Sequence, residues 1–205
     1  MVERLNDAGV EQETPGDHYE RNASMSMNGN EIAFLVAAEG VEQVELSEPW
    51  TAMEKAGGQP LLIVEGEQMS VQAFNHLDKG DTFTADLSAS HARADDFDGL
   101  VLPGGVANPD FLRTIPEAVA FARAFVEAGT PVAVICHGPW TLIEADGVRG
   151  RRITSWPSLQ TDLPNAGADW ADEEVIIDRT GPGPLISSRK PDDLPAFTAA
   201  ITGTF

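Results

Sequence analysis

Four short, largely apolar runs constrain this chain more than any other feature. They are Ile32–Ala38 (IAFLVAA), Pro60–Val64 (PLLIV), Phe97–Leu102 (FDGLVL) and Pro131–Ile135 (PVAVI). A strand with one face in water alternates apolar and polar residues, whereas a strand covered on both faces is apolar throughout, as in parallel sheets. Helical patterns lie between the runs. Leu46, Trp50, Met53 and Gly57 recur at helical spacing, and Ala118, Phe121, Ala122, Phe125 and Val126 form a second stripe. Gly57-Gly58 and Gly129 stand where helices stop, and Thr114-Ile115-Pro116-Glu117 reads as a capping box. A helix through Trp140, Leu142 and Ile143, strands at Val175–Ile177 and Leu185–Ser187, and a closing helix near Asp192–Ile201 complete the pattern. Strand and helix alternate, which predicts an α/β fold: a mainly parallel sheet with helices on both faces. Residues 69–87 alternate and contain Lys79-Gly80-Asp81, predicting a small β-hairpin excursion.

The 205 residues suit one domain over about 30–205. Residues 1–29 lack hydrophobic periodicity and read as an extension, mobile or packed on a neighbour. They lack the basic-then-apolar order of a secretory signal, and no apolar run approaches the ~20 residues of a membrane span. The expectation is a cytoplasmic protein without a membrane partner. The net charge of −20 disfavours nucleic acid as a partner. The one basic run, Val148-Arg149-Gly150-Arg151-Arg152, is expected to be a solvated loop. Lysine occurs only at 55, 79 and 190, against 33 acidic residues. Such a surface suits concentrated salt, where the Debye length is about 3 Å and self-repulsion is screened. A halophilic source is therefore expected. The single cysteine excludes an intrachain disulfide and a cysteine-rich metal cluster.

In parallel sheets, ligands bind beyond the carboxyl ends of the strands. Three runs lead into sequence of chemical interest: Glu39-Gly40-Val41-Glu42, Gly104-Gly105 and Cys136-His137-Gly138. Parallel strands would bring all three to one rim. A cysteine between a buried strand and a helix sits where helix N–H groups favour a thiolate. Gly138 permits the tight turn of a nucleophile elbow, although Val134 replaces the first glycine of that motif. Gly104 and Gly105 could offer N–H groups to an oxyanion. On spacing alone, a buried structural cysteine, a packing histidine at 137, a helix-opening acid at 42 and a plain turn at 104–105 fit as well. His76 and Asp78 could form a metal pair, but a surface hairpin suits them better, and no metal or other cofactor is expected.

The stretch Ala133-Val-Ile-Cys-His-Gly-Pro139 resembles the nucleophile elbow of the DJ-1/PfpI superfamily, in its branch of PfpI-like intracellular peptidases and general stress proteins. Further segments agree in order: Ile32–Val36, Glu39–Leu46, Phe97–Gly105, Asn165–Trp170 and Ser187–Phe197. The resemblance covers about residues 31–203 and implies a flavodoxin-like (Rossmann-like) fold. It also implies that Cys136 is the nucleophile, that Glu42 is the acid against its sulfur, and that His137 is the neighbouring base. The His137 N–H with Gly105 would form the oxyanion site. Asp110, in Asn108-Pro-Asp-Phe-Leu-Arg113, matches an acid that orients the histidine of an adjacent subunit, though this loop is one residue longer than the family's. That role requires a homodimer or higher homo-oligomer. Trp156 matches an aromatic beside the pocket.

Two classes of function follow. In the first, a thiolate adds to a small reactive aldehyde or its adduct while a carboxyl shuttles protons, as a glyoxalase or deglycase requires; the same thiolate attacking a peptide gives a PfpI-type peptidase. In the second, Cys136 is the redox sensor of a non-enzymatic or chaperone-like stress protein.

Overall fold

The computed structural model describes Met27 and residues 29–205. The expectation for residues 1–29 therefore falls almost wholly outside the described residues. Met27 itself is buried, and its N–H and that of Gly29 bond to the carbonyls of Ala56 and Gly57.

The chain begins with β1 (Glu31–Val36), β2 (Glu39–Glu42), α1 (Gln43–Lys55) and β3 (Gln59–Val64). A hairpin of β4 (Ser70–Asn75) and β5 (Asp78–Thr84) follows, then β6 (Leu87–Ser88) and β7 (Gly99–Leu102). Next come α2 (Ala107–Leu112), α3 (Pro116–Ala128), β8 (Val132–Ile135) and α4 (Pro139–Glu144). The last third holds β9 (Arg152–Ile153), α5 (Asp162–Asn165), β10 (Asp169–Trp170), β11 (Val175–Asp178), β12 (Leu185–Ser188) and α6 (Leu194–Thr202).

The central sheet has the order β11-β12-β8-β7-β1-β3-β6. Every neighbouring pair is parallel except β11 with β12. The four apolar runs are four of its five inner strands, and the residues of β7 and β8 are all buried. Successive residues of a strand point to opposite faces. Ala33 and Leu35 of β1 thus join Phe121, Ala122 and Phe125 of α3 and Leu142 of α4. Ile32, Phe34 and Val36 join Leu46 and Met53 of α1 and Phe197 and Ile201 of α6. Each fully buried Leu, Ile or Phe contributes about 1.5–3 kcal/mol from loss of apolar surface. This two-sided burial is why the strands carry no polar alternation.

The hairpin excursion is present, and β2 extends it to three strands by pairing parallel to β4. Two readings need correction. Thr114 does not cap α3: the helix is preceded by Ile115 without a side-chain cap, and the Thr114 hydroxyl donates to the Phe111 carbonyl. Pro116 at the first helical position lacks an N–H and so needs no partner there. The basic run is not simply solvated either. Arg151 is buried and ion-paired with Asp178 at the end of β11, and its guanidinium also donates to the Gly183 carbonyl. That pairing ties the β11–β12 turn to the body of the domain. Arg152 reaches Glu173 at 2.6 Å, so the stretch offers no free basic patch. Among the described residues, no helix is long and apolar enough to cross a membrane.

Candidate active site

The carboxyl ends of β1, β7 and β8 lie side by side, which places Gly104-Gly105 and Cys136 on one rim. Cys136 follows β8 with φ of 61°, in the left-handed region that residues other than glycine rarely adopt. This is the sharp turn of a nucleophile elbow. Gly138 closes it, since a Cβ there would fall 2.9 Å from the Ile135 carbonyl oxygen and closer still to that of Leu102. The Cys136 side chain is buried but lines a cavity of about 920 Å³.

His137 contacts the sulfur directly, with Nδ1 3.1 Å from Sγ. Adjacent residues in a turn usually point apart, but the left-handed backbone at Cys136 brings these two side chains together. Nε2 of His137 lies 3.3 Å from the Ser158 hydroxyl. Trp156 stacks on the imidazole at 26°, and Trp140 flanks it. This wrapping lowers the His137 pKa to about 4, because burial disfavours the charged ring. The imidazole is therefore neutral at pH 7.

The acid against the sulfur is Glu45, which corrects the expectation for Glu42. Glu42 is the last residue of β2; its Oε2 accepts the backbone N–H of His76, and its side chain lines the cavity wall. Glu45 lies within the first turn of α1, on the inward stripe that contains Leu46, Pro49 and Met53. It is fully buried, accepts the Gly104 N–H at 2.9 Å and stands within hydrogen-bonding reach of the thiol. Burial raises its pKa to about 8. At neutral pH the carboxyl is thus protonated and able to donate to a thiolate. Burial and an ionised Glu45 both push the Cys136 thiol up, whereas the backbone N–H groups of His137 and Gly105 pull it down. On balance the thiol is raised, and a second negative charge on the pair is strongly disfavoured.

Gly104 needs a second correction. Its N–H is taken by Glu45, so it is not free for an oxyanion. Gly105 and His137 provide the N–H groups that face the sulfur. Gly105 has φ of 79°, and a Cβ there would lie 2.8 Å from the Glu42 nitrogen. Asn108, fully buried, holds this loop: it accepts the Ala37 N–H at 2.7 Å and donates to the Pro103 and Gly104 carbonyls, each at 3.0 Å. A Cβ on Gly104 would stand 2.6 Å from the Cβ of Cys136 and nearer to Glu45 Oε2. Gly104→Ala is therefore expected to cost about 1–3 kcal/mol through overpacking. Urea denaturation would show this as a lower midpoint; an unchanged midpoint would mean that the loop yields freely.

Trp156 lies where expected, against His137 and in the cavity wall. Asp110 is exposed in the first turn of α2 and makes no hydrogen bond to His137 within the chain. Among the described residues, no group of three or more His, Cys, Asp and Glu side chains could hold a metal ion. Glu45, Asn108 and Ser158 were not singled out from the sequence. The signal for Glu45 was available: it immediately precedes Leu46 of the apolar stripe and lies one helical turn before Pro49.

The chain matches the family model described as DJ-1/PfpI family over residues 30–203. It is 41% identical over 81% of its length to "Protein/nucleic acid deglycase 2" of Escherichia coli, covering 92% of that protein. It is 39% identical over 81% of its length to "Putative cysteine protease YraA" of Bacillus subtilis, again covering 92%. Among solved structures, a two-domain protein from Anabaena variabilis with DJ-1/ThiJ/PfpI-like and ferritin-like domains superposes with a TM-score of 0.76 at 35% identity. The match covers 84% of this chain and 49% of that larger one, so the chain spans about half of it. DJ-1 of Schizosaccharomyces pombe, at 23% identity over 84% of this chain and 90% of that one, shares the fold with a TM-score of 0.72. The family match spans nearly the whole described chain, and the chain belongs to the DJ-1/PfpI family.

Proposed function

We propose that this chain is a cysteine-dependent enzyme that acts on reactive aldehydes or their adducts, of the deglycase or glyoxalase type. The observation that carries this reading is the Cys136 sulfur set between two backbone N–H groups and a buried, protonated Glu45. The relatives named as deglycases support it.

A methylglyoxal adduct of an amine, R–NH–CH(OH)–CO–CH3, would react as follows. The thiolate forms a C–S bond to the carbinol carbon as the C–N bond breaks, and the amine leaves with the Glu45 proton. Glu45, now a carboxylate, takes the proton from the sulfur-bearing carbon and returns it to the adjacent carbon, while the hydroxyl proton of the first carbon passes to the carbonyl oxygen of the second. The first carbon is oxidised to a thioester and the second reduced to an alcohol, so no external oxidant is needed. The Gly105 and His137 N–H groups stabilise the oxyanions on this path. Water then cleaves the thioester, releasing lactate and the thiol. Adduct plus water gives amine plus lactate.

We also propose that the protein works as a homodimer or larger homo-oligomer in which Asp110 serves the partner's histidine. In support, Phe111 and Val106 beside Asp110, and Leu77 across the cavity mouth, are large exposed apolar side chains. Mixing Cys136→Ala with Asp110→Ala protein should restore part of the lost activity; sedimentation as a monomer would sink this arrangement. The charge of −20 leads us to propose a halophilic, cytoplasmic setting, with activity greatest in molar KCl.

The test is to incubate the protein in molar KCl with the methylglyoxal adduct of N-acetyl-lysine and follow both products by proton NMR. Equal release of lactate and amine is expected. Peptide-bond cleavage without lactate would favour the PfpI-type peptidase reading. Selective peroxide oxidation of Cys136 without any turnover would favour a redox sensor.

A further inference from the structure

The cavity above Cys136 is far larger than a three-carbon aldehyde needs, and its charge is one-sided. Acidic side chains of Glu39, Glu42 and Glu65 line it in addition to Glu45, and among the described residues no lysine or arginine does. Glu39 and Glu42 are the first and last residues of β2, and Glu65 directly follows β3. One carboxyl oxygen of Glu65 is buried and has no hydrogen-bond partner. A buried acceptor without a donor is unfavourable, and a ligand N–H would relieve it. The cations closest in sequence to Pro191 of the wall are already neutralised: Arg189 by Asp172 and Asp193, and Lys190 by Asp192 at 3.1 Å. The two imidazoles in the wall are those of His137, neutral at pH 7, and His76. Phe74, Leu77, Phe111 and Trp156 supply apolar wall between the acids.

We infer that this site selects its substrate by charge, admitting adducts carried on cationic, amine- or guanidinium-bearing groups and turning away phosphate-bearing ones. The inference rests on the deglycase reading for the word adduct, but the selection itself is a property of the cavity. It separates this chain from what the name of its Escherichia coli relative covers, since that name includes both protein and nucleic acid. Lysine and arginine side chains of damaged proteins fit the acidic wall. Nucleotides would place their phosphates against the same acids inside the cavity, where charges held close together are screened by salt much less than on the open surface.

The single cysteine permits a test that does not depend on turnover. Two methanethiosulfonates of similar size, one bearing trimethylammonium and one bearing sulfonate, each convert the Cys136 thiolate to a mixed disulfide and release methanesulfinate. Their rate ratio, divided by the ratio for 2-mercaptoethanol, reads the charge preference of the cavity independently of thiol ionisation. It is measured at the lowest KCl concentration at which far-UV circular dichroism is unchanged. The cationic reagent is expected to be favoured by about tenfold or more, in line with electrostatic focusing in charged clefts. The triple variant Glu39→Gln, Glu42→Gln, Glu65→Gln should lose most of that preference. Substitution of Glu54, Glu117 and Glu127 by glutamine, at exposed positions outside the cavity, should keep it. A ratio near one, or equal losses in both triple variants, would overturn the inference. Charge preference without turnover of any adduct would instead leave the inference standing and remove the deglycase reading.

Discussion

Cys136→Ala is expected to abolish adduct turnover, with a loss of at least ~1,000-fold, corresponding to about 4 kcal/mol of barrier. The argument is chemical. The C–N cleavage and the thioester both require a bond to the sulfur, and among the described residues no other thiol and no hydroxyl side chain lines the cavity. Cys136→Ser should be nearly as inactive, because the hydroxyl does not ionise at neutral pH and neutral His137 is too weak a base to activate it. Both variants should fold, since alanine and serine are smaller than or similar to cysteine and face an existing cavity. Circular dichroism and lactate release on the same samples separate the two effects. Retained turnover in a folded alanine variant would remove the cysteine from the mechanism.

How much of this was readable before the structure depended on whether a local pattern determined the outcome. The inner strands were readable because burial on both faces leaves an unbroken apolar run. The convergence of Gly104-Gly105 and Cys136 followed, since parallel strands share a carboxyl edge. The choice between Glu42 and Glu45 was not settled by spacing. It turns on where α1 starts, and Glu42 is still extended, closing β2 against β4. Residues 43–45 then turn through most of one helical revolution, which points Glu45 inward. The pairing of β2 with β4 is a tertiary contact, and the pattern of neither segment names the other as its partner. Arg151 was misread for the same kind of reason: its partner Asp178 ends a strand remote in sequence, and a run of arginines resembles a solvated loop until that partner is known. The contact between His137 and the sulfur depends on the left-handed backbone at Cys136, which no residue type announces.

Glu45 offers the second large effect, and its sign should change with pH. Below about pH 8 the carboxyl holds its proton and can donate to the sulfur as the thiolate forms. Glu45→Ala removes that donor. A hydrogen bond to a charged group is worth about 1.5–3 kcal/mol, so alkylation of Cys136 by iodoacetamide at pH 6.5 should slow by roughly 10- to 100-fold. Above pH 8 the carboxylate repels the thiolate, and the alanine variant should match or exceed the wild type. Glu45→Gln keeps a donor and never carries charge. It should therefore alkylate near the wild-type rate at pH 6.5 and faster above pH 8, yet fail in turnover because an amide cannot shuttle a proton. Stability reports the same group independently. The folded pKa of about 8 lies above the ordinary value of 4.5, so the stabilising contribution is full below pH 4.5 and lost as pH rises towards 8. The loss is at most about 5 kcal/mol. His137 acts in the opposite direction: its folded pKa of about 4 lies below the ordinary 6.5, so its contribution is present above pH 6.5 and lost as pH falls. Between pH 7 and 8.5 Glu45 alone of these two still changes charge, and in that window urea titrations of wild type should lose stability while Glu45→Gln stays level. Parallel curves would mean that the Glu45 carboxyl is already ionised in the folded protein, and the thiolate would then have to be held by the backbone N–H groups alone.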